Sequence, residues 1–144
     1  MTLANAKHIY FLGIGGIGMS AIARYFSLSG KQVSGYDRSS SVVTRALEAE
    51  GVEVFHEIDE NHVKTADYMV YTPAIKSDNL EYQAAVSLGM PIRKRSQVLG
   101  EISETYKTLA VAGTHGKTTT SILLTQLLRA SGVDCTAFLG GISR

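Results

Sequence analysis

Nearly continuous apolar runs alternate along this chain with longer stretches in which apolar residues recur every three or four positions. The runs at 8–12, 67–71 and 108–112 read as strands covered on both faces, because a half-exposed strand would alternate with polar residues. Ile17, Ala21, Tyr25 and Leu28 fall at i, i+4, i+8 and i+11, which places them on one face of a helix over 16–29. Val43, Ala46 and Leu47 repeat that period after serines at 39, 40 and 41, any of which can accept a hydrogen bond from a first-turn N–H. Ser77, Asp78 and Asn79 give a similar capping signal before a helix at 80–88.

A second regularity joins these elements. Gly30, Gly51, Gly89 and Gly132 each follow a helix-like stretch and precede a short strand-like run, at 32–36, 52–55, 90–92 and 133–138. Glycine just past a helix end takes the left-handed conformation that closes the last turn without a Cβ clash. A strand directly after it is how helix-to-strand connections in parallel sheets read. The fold class that follows is α/β, a doubly wound parallel sheet of Rossmann-like type.

The polar stretch 101–106 marks a boundary between two units, 1–105 and 106–144. The first reads as complete. The second holds a strand, a loop, a helix at 118–131 carrying Ile122, Leu123, Leu127 and Leu128, and one more strand. It reads as the beginning of a P-loop ATPase domain, expected to be marginal alone, to pack back on the first unit, or to form a homodimer through its open end.

Composition removes several function classes. A formal charge of +1 leaves no basic footprint for nucleic acid or a membrane surface. The single cysteine, Cys135, excludes an internal disulfide and reads as a strand-core residue. The four histidines are too scattered for zinc spacing. The apolar stretch 9–19 is Gly-rich and too short to span a bilayer. A reduced, cytoplasmic setting is expected.

The chemistry sits in two loops. Gly13, Gly15 and Gly18 spell G-x-G-x-x-G between a strand and a helix. Such glycines allow a tight turn and let backbone N–H groups approach a diphosphate, with the helix N-terminus adding partial positive charge. Asp37 follows Gly18 by 19 residues, at the end of the second strand, where an acid typically bonds ribose hydroxyls. The second loop runs from Gly113 through Thr114, His115, Gly116, Lys117 and Thr118 to Thr119, again between a strand and a helix. It is a shortened Walker A loop, with Val111 where the full spacing has glycine. Its N–H groups can wrap phosphate oxygens, Lys117 can reach the terminal phosphates, and the Thr118 hydroxyl can hold Mg²⁺. His115 sits inside this loop, more readily as an occupant than as a chemical group.

Four segments together resemble the Mur ligases of bacterial peptidoglycan synthesis: HIYFLGIGGIGM at 8–19, VSGYD at 33–37, AIKSDN at 74–79 and VAGTHGKTTT at 111–120. The form of the first loop resembles the branch that adds L-alanine, and the branch that reattaches recycled murein tripeptide is the alternative. The resemblance implies that the first loop holds the diphosphate of UDP-N-acetylmuramate, through Gly15, Gly16, Ile17 and Gly18, with Asp37 near the uridine end. It implies ATP on Gly113 to Thr119, with Lys117 and Thr118 catalytic and Mg²⁺ on Thr118. It also implies activation of the substrate carboxylate as an acyl phosphate, attacked by the amine of L-alanine. Such ligases have three domains, so the 144 residues are expected to bind nucleotides without turnover. Two readings of other classes stand beside this one, an NAD(P)-dependent oxidoreductase and a non-catalytic nucleotide-binding module. The first leaves the Gly116-Lys117-Thr118 run unexplained, because hydride transfer needs no clamp on a γ-phosphate.

Overall fold

The computed structural model describes residues 2–139. After a short 3-10 turn at Leu3–Asn5 come β1 (His8–Leu12), α1 (Ile17–Leu28), β2 (Gln32–Tyr36), α2 (Val42–Ala49) and β3 (Glu53–Phe55). A second 3-10 turn, Glu60–Val63, leads into β4 (Tyr68–Tyr71), α3 (Leu80–Ser87), β5 (Ile92–Lys94), α4 (Arg95–Glu104) and α5 (Lys117–Ala130). The strands form one parallel sheet in the order β3-β2-β1-β4-β5. The doubly wound α/β class read from the sequence is the class observed.

β1 lies at the centre with all five residues buried, and its alternating side chains feed two cores. Ile9 and Phe11 join Met19, Ile22, Ala23 and Phe26 of α1, Leu47 of α2, and Val98 and Ile102 of α4. Tyr10 and Leu12 join Tyr36, Val63, Met69 and Ala85 on the opposite face. Each side chain of this size buried from water contributes roughly 1.5–3 kcal/mol. The start of β1 is pinned across the sheet, since Asp67 Oδ2 accepts from Lys7 N at 2.9 Å and His8 N at 3.0 Å. Those bonds hold the Asp67 carboxyl below the usual carboxylate range.

The expected caps are in place. Ser41 and Thr44 close a reciprocal box at the start of α2, and Asn79 Oδ1 accepts from Tyr82 N at 3.0 Å. The four helix-ending glycines, Gly30, Gly51, Gly89 and Gly132, all have positive φ, from 65° to 87°.

Several expectations are corrected. α1 buries Met19, Ile22, Ala23 and Phe26, whereas Ile17 is 43% and Leu28 89% exposed. Both stripes have helical spacing, and the one carrying Met and Phe offers the sheet more apolar area. The polar stretch 101–106 begins as the last turn of α4, which ends at Glu104 and whose Val98 and Ile102 close over the first core. The strand expected at 90–92 forms at Ile92–Lys94. No strand forms at 108–112 or 133–138. All five strands of the sheet come from residues before 95, and a strand without a neighbour leaves its N–H and C=O groups unpaired. Cys135 is accordingly half-buried in irregular chain and not in a strand core.

No residue of α5 is buried, and Leu123 and Leu127 are more than half exposed. The flanking segments touch the first unit through aromatic rings. Tyr25 meets Tyr106 edge-on at 6.5 Å and Phe138 at 5.8 Å between centroids.

The second core contains one charged group. Glu81 of α3 is fully buried, and its Oε1 accepts from Asp59 N and lies against His62 Nδ1, both at 3.2 Å. The Tyr10 hydroxyl lies beside the same carboxylate, yet neither it nor Oε2 completes a hydrogen bond among the described residues. Burial pushes the Glu81 carboxyl above its ordinary range, against the pull of its donors. The native state therefore favours protonated Glu81, a contribution fully present below the unfolded carboxylate range and lost as pH rises through the elevated folded value. Asp59 and Asp67, whose folded values are lowered, act in the opposite sense and lose their contribution as pH falls. Comparing Glu81→Gln with the native chain isolates the first effect. In urea titrations from pH 4 to 8, the difference in midpoint should move in favour of Glu81→Gln as pH rises. A difference constant with pH would show that Glu81 carries no linked proton.

Candidate functional site

Strand register assembles the site. Leu12 aligns with Tyr36 and Tyr36 with Phe55, while on the other side Leu12 aligns with Tyr71 and Tyr71 with Lys94. The residues one step further, His56, Asp37, Gly13, Thr72 and Arg95, therefore line one edge of the sheet in spatial order. In open parallel sheets this carboxyl edge is where ligands bind.

The first loop is shaped from within. Gly13 N and Ile14 N donate to Tyr36 O at 2.7 and 3.0 Å, and Gly15 N donates to Asp37 Oδ2 at 2.8 Å. Asp37 Oδ1 accepts from Ser39 N at 3.0 Å, and Asp37 O is bonded to His56 Nδ1 at 2.7 Å. The acid expected to meet a ribose thus spends a lone pair on each oxygen holding its own chain. The structure places Asp37 against the glycine loop and gives it a scaffolding role there.

The loop glycines answer different demands. Gly13 has φ 91°, and a Cβ on it would stand 2.6 Å from Thr72 Cγ2. A Cβ on Gly15 would stand 2.7 Å from Asp37 Oδ2 and 2.9 Å from Thr44 Cγ2. At Gly18 the obstruction is the Arg95 guanidinium. Gly16 is the exception: it is exposed, its φ is −66°, and a Cβ there would meet nothing closer than 3.7 Å. The protein's own fold gives no reason for glycine at 16. Gly16 and Ile17 stand exposed at the start of α1, where the first N–H groups of the helix have no intrahelical partner.

The second loop has no strand before it but keeps a compact form. Gly113 has φ 151° and Gly116 φ 75°, and Gly116 caps α5. Lys117 Nζ folds back to donate to Gly113 O at 2.7 Å and Thr114 O at 3.3 Å. The first backbone bond of α5 runs from Thr120 N to Gly116 O at 2.9 Å, so the N–H groups of Lys117, Thr118 and Thr119 precede the helical ladder. His115 is exposed. No hydrogen bond or ion pair among the described residues joins 113–119 to 13–18. Sequence reasoning missed Thr72 and Arg95, since each is placed by strand register and neither sits in a motif.

A model described as "Mur ligase family, catalytic domain" matches residues 8–107. The chain belongs to the Mur ligase family. The UDP-N-acetylmuramate–L-alanine ligase of Porphyromonas gingivalis strain W83 is 52% identical over 143 residues, covering 95% of this chain and 31% of that protein. The crystal structure of the UDP-N-acetylmuramate–alanine ligase of Thermotoga maritima superposes with a TM-score of 0.89 at 34% identity, covering 96% of this chain and 33% of that one. A ligase from Neisseria meningitides that joins UDP-N-acetylmuramate to L-alanyl-γ-D-glutamyl-meso-diaminopimelate gives 0.87 at 34% identity, over 94% of this chain and 43% of that one. The chain thus spans about a third of the length of the curated Mur ligases it matches. Among the described residues no helix is long and apolar enough to cross a membrane.

The glycines of this Mur ligase chain separate fold from ligand. Gly15→Ala should lower stability by about 1–3 kcal/mol, as overpacking does. Gly16→Ala should stay within about 1 kcal/mol of the native chain, the scale of a change at a helix cap, while weakening binding of a diphosphate ligand. Urea melts paired with calorimetric titration check both. Equal loss of stability in the two variants would refute the distinction.

Proposed function

We propose that this chain is the UDP-sugar-binding unit, residues 1–105, and the beginning of the ATP-binding unit, residues 106–144, of a cytoplasmic ligase that joins L-alanine to UDP-N-acetylmuramate. Residues 140–144 of that second unit lie outside the described residues. The observation that carries the reading is Gly16, a loop residue held to glycine by nothing in the fold, in a chain of the Mur ligase family. Of Gly15, Gly16, Ile17 and Gly18, the last two would present free backbone N–H groups and the helix N-terminus to the diphosphate, while Gly15 and Gly16, whose N–H groups donate to Asp37 Oδ2 and Gly13 O, would shape its approach. Asp37, fixed by Gly15 N and Ser39 N, would define the uridine end. The same ring of bonds keeps the loop preformed, so little entropy is lost in ordering it at binding.

ATP and Mg²⁺ fit the second loop. Gly116 in the left-handed region, the N–H groups of 117–119 and the Lys117 ammonium form an anion cradle, and the Thr118 hydroxyl at the helix start is the one side chain expected on Mg²⁺, the other ligands being phosphate oxygens and water. ATP would supply the phosphoryl group that activates the substrate carboxylate. The protein's part is to neutralise charge through Lys117 and to hold the reacting groups in line. The exposed Leu123 and Leu127 on α5 we read as surface covered by further central-domain chain in a ligase of full length, or by a second copy when the 144 residues stand alone.

The tripeptide-adding ligase remains the second reading within the family, since its fold likeness is nearly as high. The higher identity to an L-alanine-adding relative favours the first. Titration separates both from an oxidoreductase: UDP-N-acetylmuramate should give a binding isotherm and NADH none. An NADH isotherm with no UDP-sugar signal would sink the proposal.

In a protein of the relatives' length, Lys117→Ala should cut ligase turnover on the order of a hundredfold or more and leave UDP-sugar affinity within about twofold, because no bond ties the two loops together. Steady-state kinetics with both substrates checks this. Near-native turnover would remove Lys117 from the reaction.

A further inference from the structure

Arg95 is the first residue after β5, at the same edge of the sheet as Gly13 and Asp37. Its side chain reaches the first turn of α1. A Cβ placed on Gly18 would lie 3.4 Å from Arg95 Cδ and 3.2 Å from Cζ, and would collide with Nη1. Glycine at 18 thus leaves a seat into which the guanidinium settles, on the first turn of α1.

Electrostatics makes that seat anomalous. The N-terminus of a helix carries roughly half a positive charge and favours anions. Arg95 adds a full positive charge there, and is itself the first residue of α4, so it sits at the positive ends of two helices. Neither first turn contains an acidic residue. Arg93, two residues before it, is paired with Glu101 at 3.7 Å. Among the described residues no hydrogen-bond or ion-pair partner takes an N–H of Arg95. An exposed cation with a long, mobile stem would ordinarily turn away from such a place. An anion touching both the guanidinium and the helix end turns the repulsion into two attractions.

We propose that Arg95 contacts the ligand of the glycine-loop site, its guanidinium donating to phosphate oxygens of the nucleoside diphosphate beside the first-turn N–H groups of α1. The inference rests on the reading of that loop as a UDP-sugar site. A guanidinium fork matches two phosphate oxygens at once, which an ammonium does not. The sugar's carboxylate presents similar chemistry, and the choice of ligand tells the two apart.

The experiment is calorimetric titration of the 144-residue chain with UDP, UDP-N-acetylglucosamine, which lacks the carboxylate, and UDP-N-acetylmuramate. Arg95→Ala should weaken all three by a similar factor, roughly ten- to a hundredfold for a charge-assisted contact. Arg95→Lys should recover part of that loss, and Arg93→Ala, remote from Gly18 and paired with Glu101, should bind as the native chain does. Thermal melts of each variant keep folding separate from binding. A loss confined to UDP-N-acetylmuramate would overturn the diphosphate contact in favour of the carboxylate. Unchanged affinity of Arg95→Ala for all three would overturn the proposal while leaving the UDP-sugar reading intact. A native chain that binds none of the three takes both down.

Discussion

Parallel pairing is the constraint on which the rest of this structure depends. Five strands run the same way, so every strand must be followed by chain leaving the same edge and returning over a face of the sheet. That requirement delivers Gly13, Asp37, His56, Thr72 and Arg95 to one line, although they are spread across more than half of the sequence. Chemistry is concentrated by topology before any side chain is chosen. The central strand fixes the arrangement, because β1 is buried on both faces and a slip of one residue would exchange the two cores. Asp67, accepting from Lys7 N and His8 N, anchors that strand at its opposite end.

Within that frame the glycine loop combines requirements that a motif cannot separate. Gly13 needs a positive φ, Gly15 needs room for Asp37 and Thr44, and Gly18 needs room for Arg95. Only Gly16 is free of all of them. The three glycines of the motif are therefore statements about the protein's own packing, and Gly16, at one of its unspecified positions, is the glycine that this packing does not require. Asp37 shows the same duality, since the carboxylate at the end of β2 already holds Gly15 N and Ser39 N. A ligand approaching this corner meets a loop whose shape is set in advance.

Much of this was legible in the sequence, and the failures share a cause. Strand runs, caps and helix-ending glycines are local signals, and the elements from His8 to Ser87 form close to where they were expected. The buried face of α1 was misread because two stripes had helical spacing and only the sheet decides between them. α4 was missed because Val98 and Ile102 are few apolar residues on a polar helix interrupted by Gly100, so its burial comes from the partner. The strands at 108–112 and 133–138 were read from apolar composition, which proposes a strand but supplies no neighbour. Arg95 was invisible for the same reason as Thr72: its place is a matter of register across strands. Local chemistry is written in the sequence, whereas pairing must be built.

The two phosphate loops therefore stand in different physical situations. The first is bonded to two strand ends, and its donors are aimed before a ligand arrives. The second opens a helix with no buried residue, and its own lysine closes it, with Lys117 Nζ on Gly113 O and Thr114 O. Those carbonyls are neutral acceptors, whereas a phosphate oxygen would add the attraction of an opposite charge to its bond with the ammonium. The bonds that keep the loop compact are thus ones an anionic ligand could displace, and the N–H groups of 117–119 precede the helical ladder after Gly116. What the second loop lacks in support from a sheet it partly recovers from its own lysine, whose bonds to Gly113 O and Thr114 O keep a cation at the loop.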